Sequence, residues 1–173
     1  MTATASSPRV YVGTYAKYNN GSIAGAWLDL EDYSDRDEFL AACAELHKDE
    51  SDPEFMFQGF EGFPRAFYCE SEVSEELMAW VQLGEDDREM LARYQDALGD
   101  QAATLEDAQD HFSGTYADGA DAAEQMAEDL GAVVPKDMPA WIVIDWDASW
   151  ECNLRHDFAT STDADGRLWL FNH

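Results

Sequence analysis

Histidine and cysteine are the residues of this sequence that could most directly carry catalytic or metal chemistry. The four histidines form neither an HExxH motif nor a cluster with cysteines, since they lie far apart at His47, His111, His156 and His173. The three cysteines, Cys43, Cys69 and Cys152, include no CxxC pair, and their odd number argues against a disulfide framework. Isolated residues of these types are usually ordinary surface or core side chains. We therefore expect no metal site and no disulfide scaffold.

Two short glycine-containing segments resemble ligand loops only in part. Gly21–Gly25 lacks the lysine of a phosphate-binding loop and the spacing of a dinucleotide loop. Asp163–Gly166 resembles half of a calcium loop, but loop position 12 is Asn172 where glutamate is required, so a hairpin turn is the better interpretation. No nucleophile stands beside a plausible base. We expect no enzyme and no cofactor, and an unrecognised small hydrolase is the weakest alternative.

The carboxylates are informative through their number and their position. The chain has 37 acidic and 10 basic residues, for a net charge of −27. This charge argues against binding to nucleic acid or to an anionic membrane, because both would repel it. Residues 1–28 contain no acid, whereas 30 of the acids lie in 29–129. A general adaptation to high salt is the alternative explanation, but it should spread acids over every exposed surface. The pattern favours a partner with a basic surface.

A helix over Glu85–Leu98 is expected to display acids on the face opposite its apolar residues. Leu91, Tyr94 and Leu98 cluster on one side at ~100° per residue, and acids fall on the other. A solvated face is the ordinary interpretation, but such faces usually mix bases with acids, because like charges repel. No base occurs between Arg93 and Lys136. We therefore expect these acids to contact a partner: Glu75, Glu76, Glu85, Asp86, Asp87, Glu89, Asp96, Asp100, Glu106, Asp107, Asp110, Asp118, Asp121, Glu124, Glu128 and Asp129.

The first 65 residues or so read as a small α+β unit. Residues 9–15 and 22–30 are predicted to form a hairpin, because they are rich in β-branched and aromatic residues and flank the turn signal Asn19-Asn20-Gly21. Helical spacing predicts a helix over 35–47 that is capped by Ser34. Residues 55–60 are predicted to form a third strand.

Beyond residue 74 the apolar period changes to that of a helix. Ser74 and Thr104 are predicted to cap helices over 75–83 and from 105 to about 112, and a further helix is expected over 121–130. Residues 139–157 have strand propensity at their start, but the i, i+4 spacing of Ile142, Trp146, Trp150 and Leu154 favours a helix. Residues 158–162 and 167–172 are predicted to form a hairpin around Asp165-Gly166.

No targeting or membrane segment is expected. The start of the chain, residues 1–8, lacks the apolar stretch of a signal peptide, and no apolar run approaches the ~20 residues of a membrane helix. A cytoplasmic location follows as the expectation.

Several segments resemble the ArdA family of antirestriction proteins. The resemblance is most specific in the first 65 residues and covers most of 9–158. It is carried by Val10–Tyr15, Lys17–Asn19, Gly21–Trp27, Phe39–Cys43, Leu46-His47, Asp52–Gln58, Glu61–Pro64, His111–Tyr116 and Asp145–Ala148. The chain departs from the family at Glu151–Leu154, where many relatives have Ala-Arg-Asp-Leu.

This resemblance implies an elongated α+β protein that mimics B-form DNA and inhibits type I restriction-modification enzymes. The expected partners are the methyltransferase and specificity subunits, and the resemblance also implies a homodimer carried by a mobile genetic element. The expected division is an α+β unit with an antiparallel sheet over 9–65, an acidic helical unit over 66–103, and a unit of helices and a β-hairpin over 104–173. The alternative function is an acidic interaction module or chaperone for basic nucleic-acid-binding proteins.

A homodimer interface is expected in the segment 139–158. This segment lies in the least acidic part of the chain beyond residue 28 and contains Trp141, Trp146 and Trp150. Two acidic protomers should meet where charge density is lowest and apolar area is greatest. The alternative, that these tryptophans fill the core of a C-terminal unit, stays open.

Overall fold

The computed structural model describes residues 6–132 and 134–173. These residues form seven α-helices and six strands in two compact units, one ending at Gly84 and the other comprising Glu85–His173. The α+β class predicted from the sequence is confirmed. Part of the start searched for a signal peptide, residues 1–5, lies outside the described residues. None of the helices in the described ranges has the length and apolar character needed to cross a membrane.

The first unit is built on an antiparallel sheet. Its strands are β1 (Arg9–Thr14), β2 (Ala26–Asp29) and β3 (Phe55–Glu61), in the order β2-β1-β3. The predicted pairing of the first two strands is confirmed, but a short helix, α1 (Tyr15–Asn19), occupies the connection in place of the expected loop. Thr14 caps it by accepting a hydrogen bond from the Lys17 N–H.

Two helices cover the core face of this sheet. Helix α2 (Arg36–Leu46) contributes Phe39 and Cys43, and helix α3 (Glu75–Val81) contributes Leu77, Met78 and Val81 to one buried cluster with Val10 and Val12. Ser34 is not the cap of α2 as expected. The cap is Asp35, whose carboxylate accepts from the Glu38 N–H, because Ser34 instead donates its N–H and hydroxyl to the Glu38 carboxylate.

The second unit contains the remaining elements. Its helices are α4 (Glu85–Leu98), α5 (Leu105–His111), α6 (Gly119–Asp129) and α7 (Trp146–Cys152). Its strands are β4 (Phe112–Tyr116), β5 (Phe158–Thr162) and β6 (Leu168–Asn172), which form an antiparallel sheet in the order β4-β6-β5. The predicted C-terminal hairpin is confirmed as β5–β6. The sequence analysis does not predict β4, which pairs with β6.

The segment 139–157 is helical only in part. Helix α7 begins after Asp145, which caps it, whereas residues 141–144 lie in neither a helix nor a strand. Pro139 opens a turn that is closed by the Ile142 N–H, and the following β-branched residues are poor helix formers. The helix expected at the start of this segment is therefore absent.

The boundary between the two units falls inside the segment 66–103, which the sequence analysis expects as a separate unit. Helix α3 packs in the core of the first unit. Helix α4 contributes Tyr94 to a cluster in the second unit with Ala108 and Phe171. The three-unit division stays a prediction.

Candidate acidic binding surface

Most of the basic side chains are engaged within the fold. In the first unit, the Arg9 guanidinium lies 2.6 Å from Glu61, and Lys17 Nζ lies 2.9 Å from Asp49. In the second unit, Arg93 Nη1 donates to the Thr162 carbonyl at 2.7 Å. Further bases with such partners include Arg36, Lys48, Arg65, Arg155 and Arg167. These bases therefore do little to neutralise the acids displayed elsewhere on the surface.

Many acids of the second unit are exposed and have no partner in the described part of the chain. On α6 these are Glu124, Glu128 and Asp129, and on α5 they are Glu106 and Asp110. At the start of α4, Glu85 and Asp86 are exposed and Asp87 is half-buried. Exposed carboxylates without an internal partner are free to meet a basic surface. These eight residues are called the free acids below.

The exposed face of α4 does not carry an unbroken row of unpaired acids, because some of its carboxylates have partners within the fold. Leu91 and Tyr94 point into the core as predicted. Arg93 Nε lies 3.1 Å from Glu89, close enough for an ion pair but without a hydrogen bond at that atom. Asp96 accepts a hydrogen bond from the Ser161 hydroxyl at 2.6 Å. Only the first turn of this helix therefore carries carboxylates without such partners.

Other predicted acids have structural roles at helix ends and turns. Asp118 caps α6 by accepting from the Asp121 N–H, and Asp100 accepts from the Ala102 N–H. The Thr104 hydroxyl and backbone N–H hold the pKa of Asp107 below its usual value. The Ala117 N–H and the Gln125 side chain lower the pKa of Asp121. These carboxylates therefore also stabilise the fold. We call them, with Glu89 and Asp96, the tethered acids.

The first unit contributes two of the predicted acids. Glu75 and Glu76 lie exposed in the first turn of α3, which Ser74 caps through the Leu77 N–H. Acids in a first turn are stabilised by the positive end of the helix dipole. These two residues therefore belong with the exposed charge, although they also favour their own helix.

The spacing of the free acids on α6 can be compared with that of phosphates. Glu124 and Glu128 lie one turn apart, which is ~6 Å along the helix axis. One strand of B-form DNA carries a phosphate every ~3.4 Å of its axis. A single helix face therefore reaches roughly half of the linear charge density of one DNA strand. Charge from several elements is needed to match a duplex.

The structure also contains a buried polar cluster that the sequence analysis did not predict. His47 is 1% exposed, and its Nε2 lies 3.1 Å from the Val12 carbonyl. Lys17 Nζ lies 2.8 Å from His47 Nδ1, and the Thr14 hydroxyl donates to Glu50 at 2.7 Å. The cluster ties α1, β1 and the end of α2 together. The signal in the sequence was the presence of Val12, Thr14, Lys17 and His47 inside the segments that carry the family resemblance.

The three tryptophans predicted at a dimer interface have different environments. Trp150 is buried in a core cluster with Ala122, Ala123 and Leu170, and a Cβ at Gly119 would overlap its indole ring. Trp146 is half-buried beside this cluster. Trp141 is 80% exposed and is followed by Val143, which is 82% exposed. The interface itself stays a prediction, and Trp141 is the tryptophan whose surface is available to a second chain.

The remaining candidate ligands do not assemble into a site. No group of three metal-binding side chains lies close together in the ranges 6–132 and 134–173. Asp163, from the apparent half calcium loop, accepts hydrogen bonds from the Trp169 indole and from backbone N–H groups of the β5–β6 turn, which with Arg167 lower its pKa to about 2. The predicted hairpin turn is confirmed. Burial raises the pKa of the Cys43 thiol to about 12, which makes it unreactive.

Comparison with known proteins identifies one family. The family model described as "Antirestriction protein (ArdA)" matches residues 10–164, which is most of the chain. No curated protein matches the sequence. The matched range includes the first sheet except Arg9, the buried cluster around His47, and all of the free and tethered acids.

Proposed function

Because the chain belongs to the ArdA family of antirestriction proteins, we propose that it inhibits type I restriction-modification enzymes by occupying their DNA-binding groove. In this proposal its surface carboxylates take the place of DNA phosphates. The partners are the methyltransferase and specificity subunits, which bind DNA and must present basic side chains to it. The protein acts as a stoichiometric inhibitor and not as a catalyst.

The observation that carries this proposal is the excess of exposed acids over the bases that could pair with them. Most bases have partners within the fold, whereas the free acids point to solvent without one. Like charges on neighbouring turns repel and reduce stability. A surface that carries such charges therefore indicates that its negative electrostatic potential has a function. A basic groove supplies the compensating charge that the fold itself does not.

The net charge can be converted into the length of DNA duplex that carries the same charge. B-form DNA carries about one charge per 1.7 Å of axis. The net charge of −27 therefore corresponds to ~46 Å of duplex, or about 13 base pairs. A homodimer would correspond to about twice that length.

We propose the homodimer interface around residues 141–144. Trp141 and Val143 are exposed, and Ile142 and Ile144 are also exposed, which gives an apolar stretch outside any helix or strand. It lies beyond the most acidic part of the chain, where two protomers would repel least. Trp146 lies at its edge, and Trp150 contributes by holding α7 in place from the core side.

The biological setting follows from the target. Restriction enzymes act on DNA that enters the cell, so the protein would work in the cytoplasm and protect the mobile element that carries it. This setting is consistent with the three reduced cysteines Cys43, Cys69 and Cys152.

The proposal is tested by titrating a type I methyltransferase with the protein while measuring the binding of labelled DNA. We expect DNA binding to be lost near one dimer per enzyme, at once and without further loss during incubation. Inhibition by trace amounts that increases with time would indicate catalysis and overturn the proposal. Equally tight binding to unrelated basic proteins such as histones would favour the acidic interaction module or chaperone instead.

A further inference from the structure

An aromatic cavity lies on the face of the first sheet that is turned away from the core. Side chains alternate across a strand, so Tyr11 projects opposite to Val10 and Val12. Tyr11 is in register with Trp27 on β2 and with Gly59 on β3. Together with Tyr18, Tyr68 and Glu70, these residues line an open cavity of about 450 Å³. That volume lies within the range of small-ligand sites. We call it the Tyr11 cavity.

The rings of the Tyr11 cavity are held in position by the fold. The Tyr11 hydroxyl donates to the Ile23 carbonyl at 2.8 Å, and the Tyr68 hydroxyl donates to the Phe57 carbonyl at 2.6 Å. The Tyr11 and Trp27 rings meet edge to face, with centroids 5.6 Å apart. A Cβ at Gly59 would lie 3.3 Å from the Trp27 ring, so glycine there lets the indole lie close to the strand. A cavity with fixed walls loses little entropy when it binds a ligand.

Cations already contact two of these rings from outside the cavity. The Arg9 guanidinium carbon lies 4.9 Å from the Trp27 ring centre, and that of Arg65 lies 4.8 Å from the Tyr68 ring centre. Both distances are within the ~6 Å over which a cation is attracted to a ring face. Neither arginine lines the cavity, and Trp27 keeps 40% and Tyr18 52% of its surface exposed. The cavity therefore presents further aromatic surface of the kind that these guanidinium groups use.

The charged side chain among the residues that line the cavity is a carboxylate. Glu70 is exposed, and the Tyr15 hydroxyl donates to it at 3.3 Å, which fixes its position beside the rings. Aromatic faces combined with a carboxylate recognise cationic groups and disfavour anions. The net charge of −27 adds to this preference.

We propose that the Tyr11 cavity binds the guanidinium group of an arginine side chain on the basic partner. The identity of the partner rests on the proposed function, whereas the cation site rests on the cavity alone. Arginine fits better than lysine because its planar guanidinium stacks on aromatic rings and is weakly hydrated. The first unit would then make one specific contact with the partner, whereas the acidic surface attracts it through many carboxylates at once.

The test uses N-acetyl-arginine amide as the probe and N-acetyl-citrulline amide as its neutral analogue. Binding to the full-length protein is followed by NMR through the shift of the Trp27 indole N–H. We expect saturable binding of the arginine probe and none of the citrulline probe. Tyr18→Leu and Glu70→Gln should each weaken binding roughly two- to fivefold. Asp37→Asn, which removes the same charge from an exposed position on α2, should leave it unchanged.

Several results would overturn the inference. These are equal binding of the two probes, an equal loss in Asp37→Asn, or tighter binding of adenosine, which stacks without a charge. In the DNA-displacement assay Tyr18→Leu should raise the half-inhibitory concentration at least twofold, and an unchanged value would refute the partner assignment. Absence of inhibition by the unmodified protein would refute the proposed function while leaving the arginine titration as an independent result.

Discussion

Neutralising the free acids of α6 should weaken inhibition without destabilising the protein. The change is the triple variant Glu124→Gln, Glu128→Gln and Asp129→Asn, in which exposed residues without an internal partner keep their size but lose their charge. An exposed ion pair contributes about 0.2–1 kcal/mol, so three lost pairs should cost roughly 0.6–3 kcal/mol, or about 3- to 150-fold in affinity. Removing the repulsion between Glu124 and Glu128 should raise the free energy of unfolding by about 0.2–0.5 kcal/mol.

The assay is displacement of labelled DNA from a type I methyltransferase at fixed salt, with thermal unfolding measured on the same samples. The control is the triple variant Asp32→Asn, Asp52→Asn and Glu54→Gln, which removes the same charge from exposed positions outside the predicted binding surface. We expect the control to inhibit nearly as well as the unmodified protein. An equal loss in both variants would show that only net charge matters, and an unchanged α6 variant would refute the assignment of these acids.

Three further predictions concern the tethered acids, the dimer and the C-terminal turn. Asp118→Ala removes the cap of α6 and should lower the free energy of unfolding by about 1 kcal/mol in urea denaturation, while inhibition by the folded fraction falls only slightly, because a single exposed charge contributes little. An unchanged stability would contradict the assigned role. Trp141→Glu should give a folded monomer in analytical ultracentrifugation, whereas Trp150→Glu should unfold the second unit; a Trp141→Glu dimer would move the proposed interface elsewhere. Asp163 has a pKa lowered to about 2, so its stabilising contribution is complete above its ordinary pKa and is lost as pH falls through about 2. The difference in the free energy of unfolding between the unmodified protein and Asp163→Asn should therefore shrink between pH 4 and pH 2. Acid unfolding monitored by tryptophan fluorescence measures this difference, and a constant value would contradict the role assigned to Asp163.

Local signals in the sequence were sufficient for most helices and for the hairpins. Ser74 and Thr104 cap their helices as predicted, and Gly99 follows α4 with a positive φ of 66°. Strand β4 was missed because Ser113 and Gly114 interrupt its apolar pattern, and its stability comes from pairing with β6, more than 50 residues away. Residues 141–144 were wrongly included in a helix because their apolar spacing continues that of α7, whereas the β-branched residues among them are poor helix formers.

The sequence was sufficient to predict which acids of the candidate site are exposed, but not which of them have hydrogen-bond partners elsewhere in the fold. Helical spacing was sufficient to place Leu91 and Tyr94 inside and the acids of α4 outside. It could not reveal that Ser161 tethers Asp96, because that contact joins residues 65 positions apart. The Tyr11 cavity was equally inaccessible, since its rings come together only when the first sheet forms.

The central claim is that the protein and DNA compete for one groove. The most direct measurement is the apparent Kd of the methyltransferase for DNA at increasing concentrations of the protein. We predict that the apparent Kd rises in proportion to inhibitor concentration and does not level off, because the two ligands cannot bind together. A plateau at high inhibitor concentration, or a ternary complex of enzyme, DNA and protein, would contradict the account.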